Sequence, residues 1–498
     1  MTENLTGLIK ILGITLLLFL LWGLLSIYTP STFLASNNIE NLMRRTALYG
    51  VLGIGVAFVI ISSGIDLSIG SLVCLSACLL GTFLQVDYIA TGTTAVWSVA
   101  ADAKTLVITD PSGYQVGDHV WYEKDRRNRT LLEITGISPN EKTAGQSLLF
   151  VSGALTRDQP SADGQPVAKI SKAYSVTSVA DLAVVFESGF PNLKPRDKIS
   201  FVHPTASNRE KVVDRLDPAG NVILTDTAAG IDESFFAVPI LRVPRMSIPL
   251  AIVSVLSIAL ILGFVHGLLI TRLNLQPFVV TLCGLMIYRG LSRWLTNDQT
   301  VGFIEYQDSL GKIGTGRWEL WPGSHGVESF GIPYSFFIFL LLTLLAMVLL
   351  NLTVWGRHLL AVGRNVEATR YSGIDTNRII WLTYIICAGL AGLGGMMFAI
   401  DSNSIAPSAF GNFFELYAIA AAVLGGCSLR GGAGSILGVV VGTALMQTLY
   451  NAIILLKIPD ELEFTIIGAV ILFGVISDEL LHRTAAAFKS GRPAASPN

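Results

Sequence analysis

An aspartate stands inside one of the most apolar stretches of this chain. The segment SSGIDLSIGSL, residues 62–72, lies between VLGIGVAFVII and VCLSACLLGTFL. An ionised carboxylate at mid-membrane costs at least about 2.5–3.5 kcal/mol, so Asp66 must be capped, paired or solvated. Two chemistries fit Asp66, Ser68 and Gly70. Asp66 or Ser68 could accept the amides two or three residues on and start the next helix from a glycine-serine turn. Alternatively, Asp66 could meet the hydroxyls of a polar solute on a translocation path. A second glycine-rich break, VLGGCSLRGGAGSILG at 423–438, sets Gly425 and Gly426 beside Arg430. IGSL at 69–72 lines up with AGSI at 433–436, which suggests an internal pseudo-repeat of helical hairpins.

The third polar segment is GRNVEATRYSGIDTNRIIWL, 363–382. Arg364, Asn365, Glu367, Ala368 and Arg370 fit a short amphipathic helix that Gly373 would end. Such a helix on a membrane face is something a peripheral subunit could grip. Its arginines also fit a solvated positive-inside loop. In IYRGLSRWLTN, 287–297, Arg289 and Arg293 could snorkel at a helix end or meet the acids of a docking partner.

Enzymatic chemistry finds no support. The six histidines have no metal-ligand spacing, and neither Gly-x-Ser-x-Gly nor His-Glu-x-x-His occurs. SLGKIG at 309–314 lacks the leading glycine and the Ser/Thr of a phosphate loop. No catalytic residue, metal site or cofactor is expected, and any ATP hydrolysis would belong to another subunit. The five cysteines all lie in apolar segments, which is no disulfide framework.

The elements that position these residues follow from composition. Of 498 residues, 51% are hydrophobic and 14% charged, against about 25% charged in an ordinary soluble domain. The mean hydropathy is +0.59. A net charge of -2 gives no sign of nucleic-acid binding. Runs near 8–28, 46–62, 69–86, 247–270, 277–296, 334–353, 379–400, 413–427, 433–455 and 463–481 predict about ten spanning helices, an all-α polytopic membrane protein. The first run reads as a helix rather than a signal peptide, for it is long and lacks a convincing cleavage site.

Between 88 and 245 the composition changes to densely mixed charge with alternating apolar residues. KTLVITD, DHVWYEKD, QSLLFVSG, DKISFVHP and NVILTDT read as short strands. The chain thus divides into membrane residues 1–87, an all-β soluble insert at 88–245, and membrane residues 246–498. The insert repeats at close to 80 residues, with Asp118 matching Asp197 and Val120 matching Ile199, so two tandem small β units are expected. Arg272, Arg357, Arg364, Arg370, Arg378, Arg430 and the tail residues His482, Arg483, Lys489 and Arg492 fall on one side of a ten-span arrangement. That side is the cytoplasm by the positive-inside rule, with both termini there and the insert outside. Arg44 and Arg45 violate this scheme.

The four stretches SSGIDLSIGS, GLLITRLNLQPFVVTL…YRGLS, GRHLLAVGRNVEATRYSGIDTNRI and YAIAAAVLGGCSLRGGAGSILG together resemble the ribose-type sugar permeases of bacterial ABC importers. The match covers 30–87 and 246–480. Glu367, Ala368 and Gly373 resemble the loop by which importer permeases dock their ATPase. The resemblance implies a permease dimer in the inner membrane, a separate ABC ATPase, and a periplasmic sugar-binding protein. The insert departs from the family, whose members have a short connection after CLLGTFLQ. Two alternatives accompany this reading: an importer of another small polar solute, such as a nucleoside or signalling sugar, and a non-transporting envelope sensor or scaffold that binds through the insert.

Overall fold

The computed structural model describes residues 2–470, apart from 125–128, 141–142, 144–145, 154, 156–164, 181, 187–189, 204–208, 217–220 and 324–328, together with residues 472 and 476. The basic tail residues 482–492 and part of the last expected span, 463–481, lie outside the described residues; a helix runs over 463–470. Two compact units result, one of residues 1–85 and 246–498, the other Val86–Arg245.

The first unit is helical. Its elements are α1 (Thr2–Tyr28), α2 (Ser36–Ile61), α3 (Ile69–Phe83), α4 (Ile248–Arg272), α5 (Pro277–Leu295), α6 (Tyr334–Leu352), α7 (Val354–Arg364), α8 (Val366–Tyr371), α9 (Thr376–Ser402), α10 (Phe414–Leu424) and α11 (Ile436–Leu455). Among the described residues, seven helices are long and apolar enough to span a membrane: α1, α2, α4, α5, α6, α9 and α11. The apolar α3 and α10 are shorter, so the count of ten spans is not reproduced by length and composition. α2 and α3 form the centre, buried nearly throughout, with α9 packed on both and α11 along α2.

α2 starts at Ser36, ten residues before the expected 46. The polar first turns hid it from a hydropathy reading, yet tertiary partners absorb them. Asn38 exchanges hydrogen bonds with Asn451 of α11. Glu40, 4% exposed, accepts from Arg317 at 2.6 and 2.8 Å and from the Gly331 amide at 2.8 Å. Two arginines of the same helix also have partners: Arg44 lies 3.7 Å from Asp401, and Arg45 stacks over the Tyr450 ring.

The two glycine-serine pairs are not equivalent. Ser71 lies inside the first turn of α3, whereas Ser435 caps α11 by accepting from the Gly438 amide. The pseudo-repeat therefore does not extend to the way these two helices begin.

Among its described residues the second unit holds twelve strands: β1 (Val86–Ala90), β2 (Thr94–Val99), β3 (Thr105–Ile108), β4 (His119–Glu123), β5 (Arg129–Pro139), β6 (Ser147–Val151), β7 (Ala168–Ala180), β8 (Ala183–Phe186), β9 (Lys198–Val202), β10 (Arg209–Leu216), β11 (Val222–Leu224) and β12 (Phe236–Pro244). They pair in two closed rings. The first runs β7-β2-β3-β6-β5-β4 and returns to β7; the second runs β7-β8-β11-β10-β9-β12 and returns to β7. Closure removes free sheet edges. The long β7 serves both rings, its first half in one and its second half in the other. Each ring has its own apolar core, the first including Val120 and the second Ile199. Asp118 and Asp197 do the same work: each carbonyl accepts from the next-but-one strand (Ile134 and Val213), and each carboxylate closes a turn on the amide three residues back. β1 pairs antiparallel with the end of β12, Val86 opposite Pro244, so entry and exit lie side by side. Adjacent ends are what allow a unit to interrupt a host chain.

Candidate functional site

Between α2 and α3 the chain leaves the helical path for seven residues. Ser63 takes φ +63, a conformation unusual for any residue but glycine, and turns the chain. Asp66 is 2% exposed. Its Oδ1 accepts from the Ser68 amide at 2.9 Å and from the Ser68 hydroxyl at 2.6 Å. Ser68 itself makes no capping bond to α3. Asp66 therefore sets the turn, and Ser68 serves as its donor.

Three helices close around this turn. Thr281 of α5 and Tyr384 of α9 both reach the Ile65 carbonyl, at 3.4 and 3.5 Å. His266 of α4 shares a 2.8 Å hydrogen bond with the Tyr288 hydroxyl of α5, and both are buried. Gly284 leaves the space in which His266 and Ser68 meet α5; a β-carbon there would crowd both. The result is a buried polar cluster of Asp66, Ser68, His266, Tyr288 and Tyr384 inside apolar helices. Buried ionisable residues in spanning helices mark functional positions by default, since their cost must be offset.

Gly70 marks a second contact. Glu415, in the first turn of α10, and the Gly411 carbonyl occupy the space that a β-carbon at Gly70 would need. Next to it, Arg289 donates to the carbonyls of Pro407 and Phe410 at 3.1 and 2.6 Å. Its guanidinium holds the 407–410 turn against α5. Arg293 is instead exposed and forms a two-pronged pair with Asp298, at 2.7 and 3.0 Å. The two arginines expected together thus differ: Arg289 is a brace, and Arg293 lies at the surface. Gly425 packs on Gly438 at the start of α11, and Gly426 turns the chain at φ +88.

The polar loop at 363–378 is built from two short helices. Asn365 ends α7 and caps α8, its Oδ1 accepting from the Ala368 amide at 2.9 Å. Gly373, φ +82, ends α8, and its amide bonds to the Arg370 carbonyl. Asp375 then caps α9. Arg364, Glu367, Ala368, Arg370 and Gly373 are all exposed, and Tyr371 between them is 90% exposed. Thr369 alone in this helix is buried.

The loop is joined to the turn before Asp66. The Ser63 hydroxyl lies 2.9 Å from the Gly363 carbonyl and 3.1 Å from the Arg430 carbonyl. The Gly432 amide donates to Ile61 at the end of α2, at 2.8 Å. Gly363 must be glycine for this approach, because a β-carbon would collide with the Ile61 carbonyl and the Gly432 amide. The three polar interruptions of the sequence therefore meet at one junction.

Sequence reasoning missed Ser63, His266, Tyr288, Tyr384 and Glu415 as members of these contacts. One signal was available on α5. Thr281, Gly284, Tyr288 and Ser292 recur at helical spacing and are the small or polar residues of its buried face. Among the described residues no group of three or more His, Cys, Asp or Glu is arranged to hold a metal ion.

Residues 227–475 match the family described as branched-chain amino acid transport system / permease component. The chain is 34% identical over 230 residues to the ribose import permease protein of Escherichia coli (strain K12), covering 46% of this chain and 68% of that protein. It is 31% identical over 237 residues to the galactose/methyl galactoside import permease protein of the same organism, covering 48% and 68%. To its xylose transport system permease protein it is 29% identical over 287 residues, covering 47% and 72%. No solved structure matches the chain.

Proposed function

Given that the chain belongs to the branched-chain amino acid transport system / permease component family, we propose that it is the membrane subunit of an ATP-driven importer of a simple sugar. It is an integral membrane protein and a transport permease rather than an enzyme. The relatives with ribose, galactose and xylose in their names support a sugar as the solute. Two copies form the path, a separate ATPase binds at the cytoplasmic face, and a periplasmic binding protein delivers the solute. The unit Val86–Arg245 stands on the periplasmic side.

The observation that carries this reading is the exposed α8 with its rigid attachment. Glu367, Arg370 and Tyr371 face outward, while Thr369 and the Gly363 junction fix the helix to the membrane unit. A partner pushing on α8 would move Gly363, and through Ser63 the turn that holds Asp66. Access could then switch by rigid displacement of packed helices. The test is Glu367→Lys with Gly373→Trp in the full chain expressed with its ATPase. Loss of both ATPase co-purification and sugar uptake is expected. Unchanged co-purification and uptake would overturn the docking role of α8.

A further inference from the structure

A small hairpin carries an apolar face that nothing in the described residues of the helical unit covers. It consists of β13 (Arg317–Trp321) and β14 (Phe330–Pro333), and it leads directly into α6. Trp318 pairs with Ile332, and Trp321 with Phe330. Strand residues alternate between faces, which would set Trp318 and Trp321 on opposite sides. The register shift between Glu319 and Trp321 adds one residue, Leu320, and restores Trp321 to the face of Trp318. Two tryptophans, a phenylalanine and an isoleucine thus share one face. Trp318 is 58% exposed, Leu320 50% and Trp321 60%. Arg317, next to Trp318 and so on the other face, is fixed to Glu40 of α2.

The position of the hairpin says what covers it. The Trp318 ring packs on Phe337, 5.8 Å between centroids, in the first turn of α6. α6 presents an exposed apolar stripe of Phe337, Leu341, Leu344, Leu345, Val348 and Leu352 on a helix long and apolar enough to span a membrane. The hairpin face continues that stripe at the helix end, where acyl chains give way to headgroups. Tryptophan is favoured there because its ring is apolar and its N–H needs a polar partner.

We propose that the 317–333 hairpin lies on the membrane–water boundary and that the lipid interface is the occupant of its Trp318/Trp321 face. In water this patch would be an aggregation liability on a two-stranded sheet. At the interface it anchors the start of α6, and the Arg317–Glu40 pair passes that anchorage to α2.

The test is a spin label at position 321 (Trp321→Cys) in the full chain in lipid vesicles, with the exposed Cys283 replaced by serine; the other four cysteines are buried. Trp318→Cys is the second position should the first fail to fold. Leu344→Cys gives the lipid reference and Tyr371→Cys the aqueous one. Relaxation by dissolved oxygen should exceed relaxation by a water-soluble nickel chelate at 318 or 321, with a ratio between the two references. A ratio equal to that at 371 would overturn the proposal, because the face would then be in water. Low accessibility to both reagents would overturn it too and assign the face to a protein partner.

Discussion

The Ser63 hydroxyl reaches the Gly363 carbonyl at 2.9 Å, across 300 positions of the chain. This single bond ties the turn that carries Asp66 to the helix pair that carries Glu367.

Ser63→Ala removes that donor from a residue already held at φ +63. A net loss of about 0.5–1.5 kcal/mol is expected, too little to prevent folding. The expected effect is on coupling: ATPase association is kept, while sugar taken up per ATP hydrolysed falls. Uptake and hydrolysis measured together in proteoliposomes check this. An unchanged ratio would exclude Ser63 as a coupling contact.

Gly363 and Gly373 should respond differently to alanine. At Gly373 a β-carbon meets nothing, and only the positive φ resists it, costing about 1 kcal/mol. At Gly363 a β-carbon strikes two backbone groups of neighbouring segments. Gly373→Ala should accumulate in membranes with a small drop in thermal midpoint, and Gly363→Ala should be the more depleted. Quantitative membrane immunoblotting with thermal melts in detergent distinguishes them.

Asp66 accepts two hydrogen bonds at Oδ1 while nearly fully buried. Asp66→Ala leaves the buried Ser68 amide and hydroxyl without this acceptor, a cost of about 1–3 kcal/mol. Asp66→Asn keeps an acceptor oxygen in the same place and should recover most of the thermal stability. If Asp66→Ala melts like the parent chain and changes only uptake, Asp66 serves the solute rather than the turn.

Two ion pairs give a calibrated contrast. Glu40→Ala removes the buried carboxylate that holds Arg317 and the Gly331 amide, leaving Arg317 the exposed Glu319 carboxylate at 3.9 Å, and should lower the thermal midpoint clearly. Asp298→Ala breaks a solvent-screened surface pair with Arg293 and should leave the thermal midpoint almost unchanged. Thermal denaturation of both variants should show the first far below the second.

In the strand-rich unit, Asp197 is 2% exposed and accepts from the amides of Lys194 and Arg242 at 2.7 and 2.8 Å. Asp197→Ala should open the second ring while sparing the first. Limited proteolysis of the full chain, read by mass spectrometry, should find new cleavage confined to the residues of the second ring, from Tyr174 onward.

Much of this was legible in the residues because local composition decides it. Runs of apolar residues specify spanning helices, since backbone groups in lipid must bond within their own segment. Alternation and mixed charge separate 88–245 from the rest, and the 80-residue spacing of Asp118 and Asp197 follows from a repeated turn. The beginning of α2 was not legible, because Asn38, Glu40 and Arg44 look like loop residues until Asn451, Arg317 and Asp401 are placed beside them. The hairpin at 317–333 was missed for a similar reason: Trp318 and Trp321 share a face only through a shift in register.

By itself, then, the sequence determined the class of the protein and the order of its polar breaks, both of which rest on hydrophobicity and turn chemistry within short windows. Only the tertiary structure decided that Ser63, Gly363 and Gly432 meet, that Arg289 braces a turn while Arg293 stays at the surface, and that Asp66 lies among His266, Tyr288 and Tyr384. Those relationships join segments hundreds of residues apart. They depend on helix packing and the close approach of small residues, which no local pattern encodes.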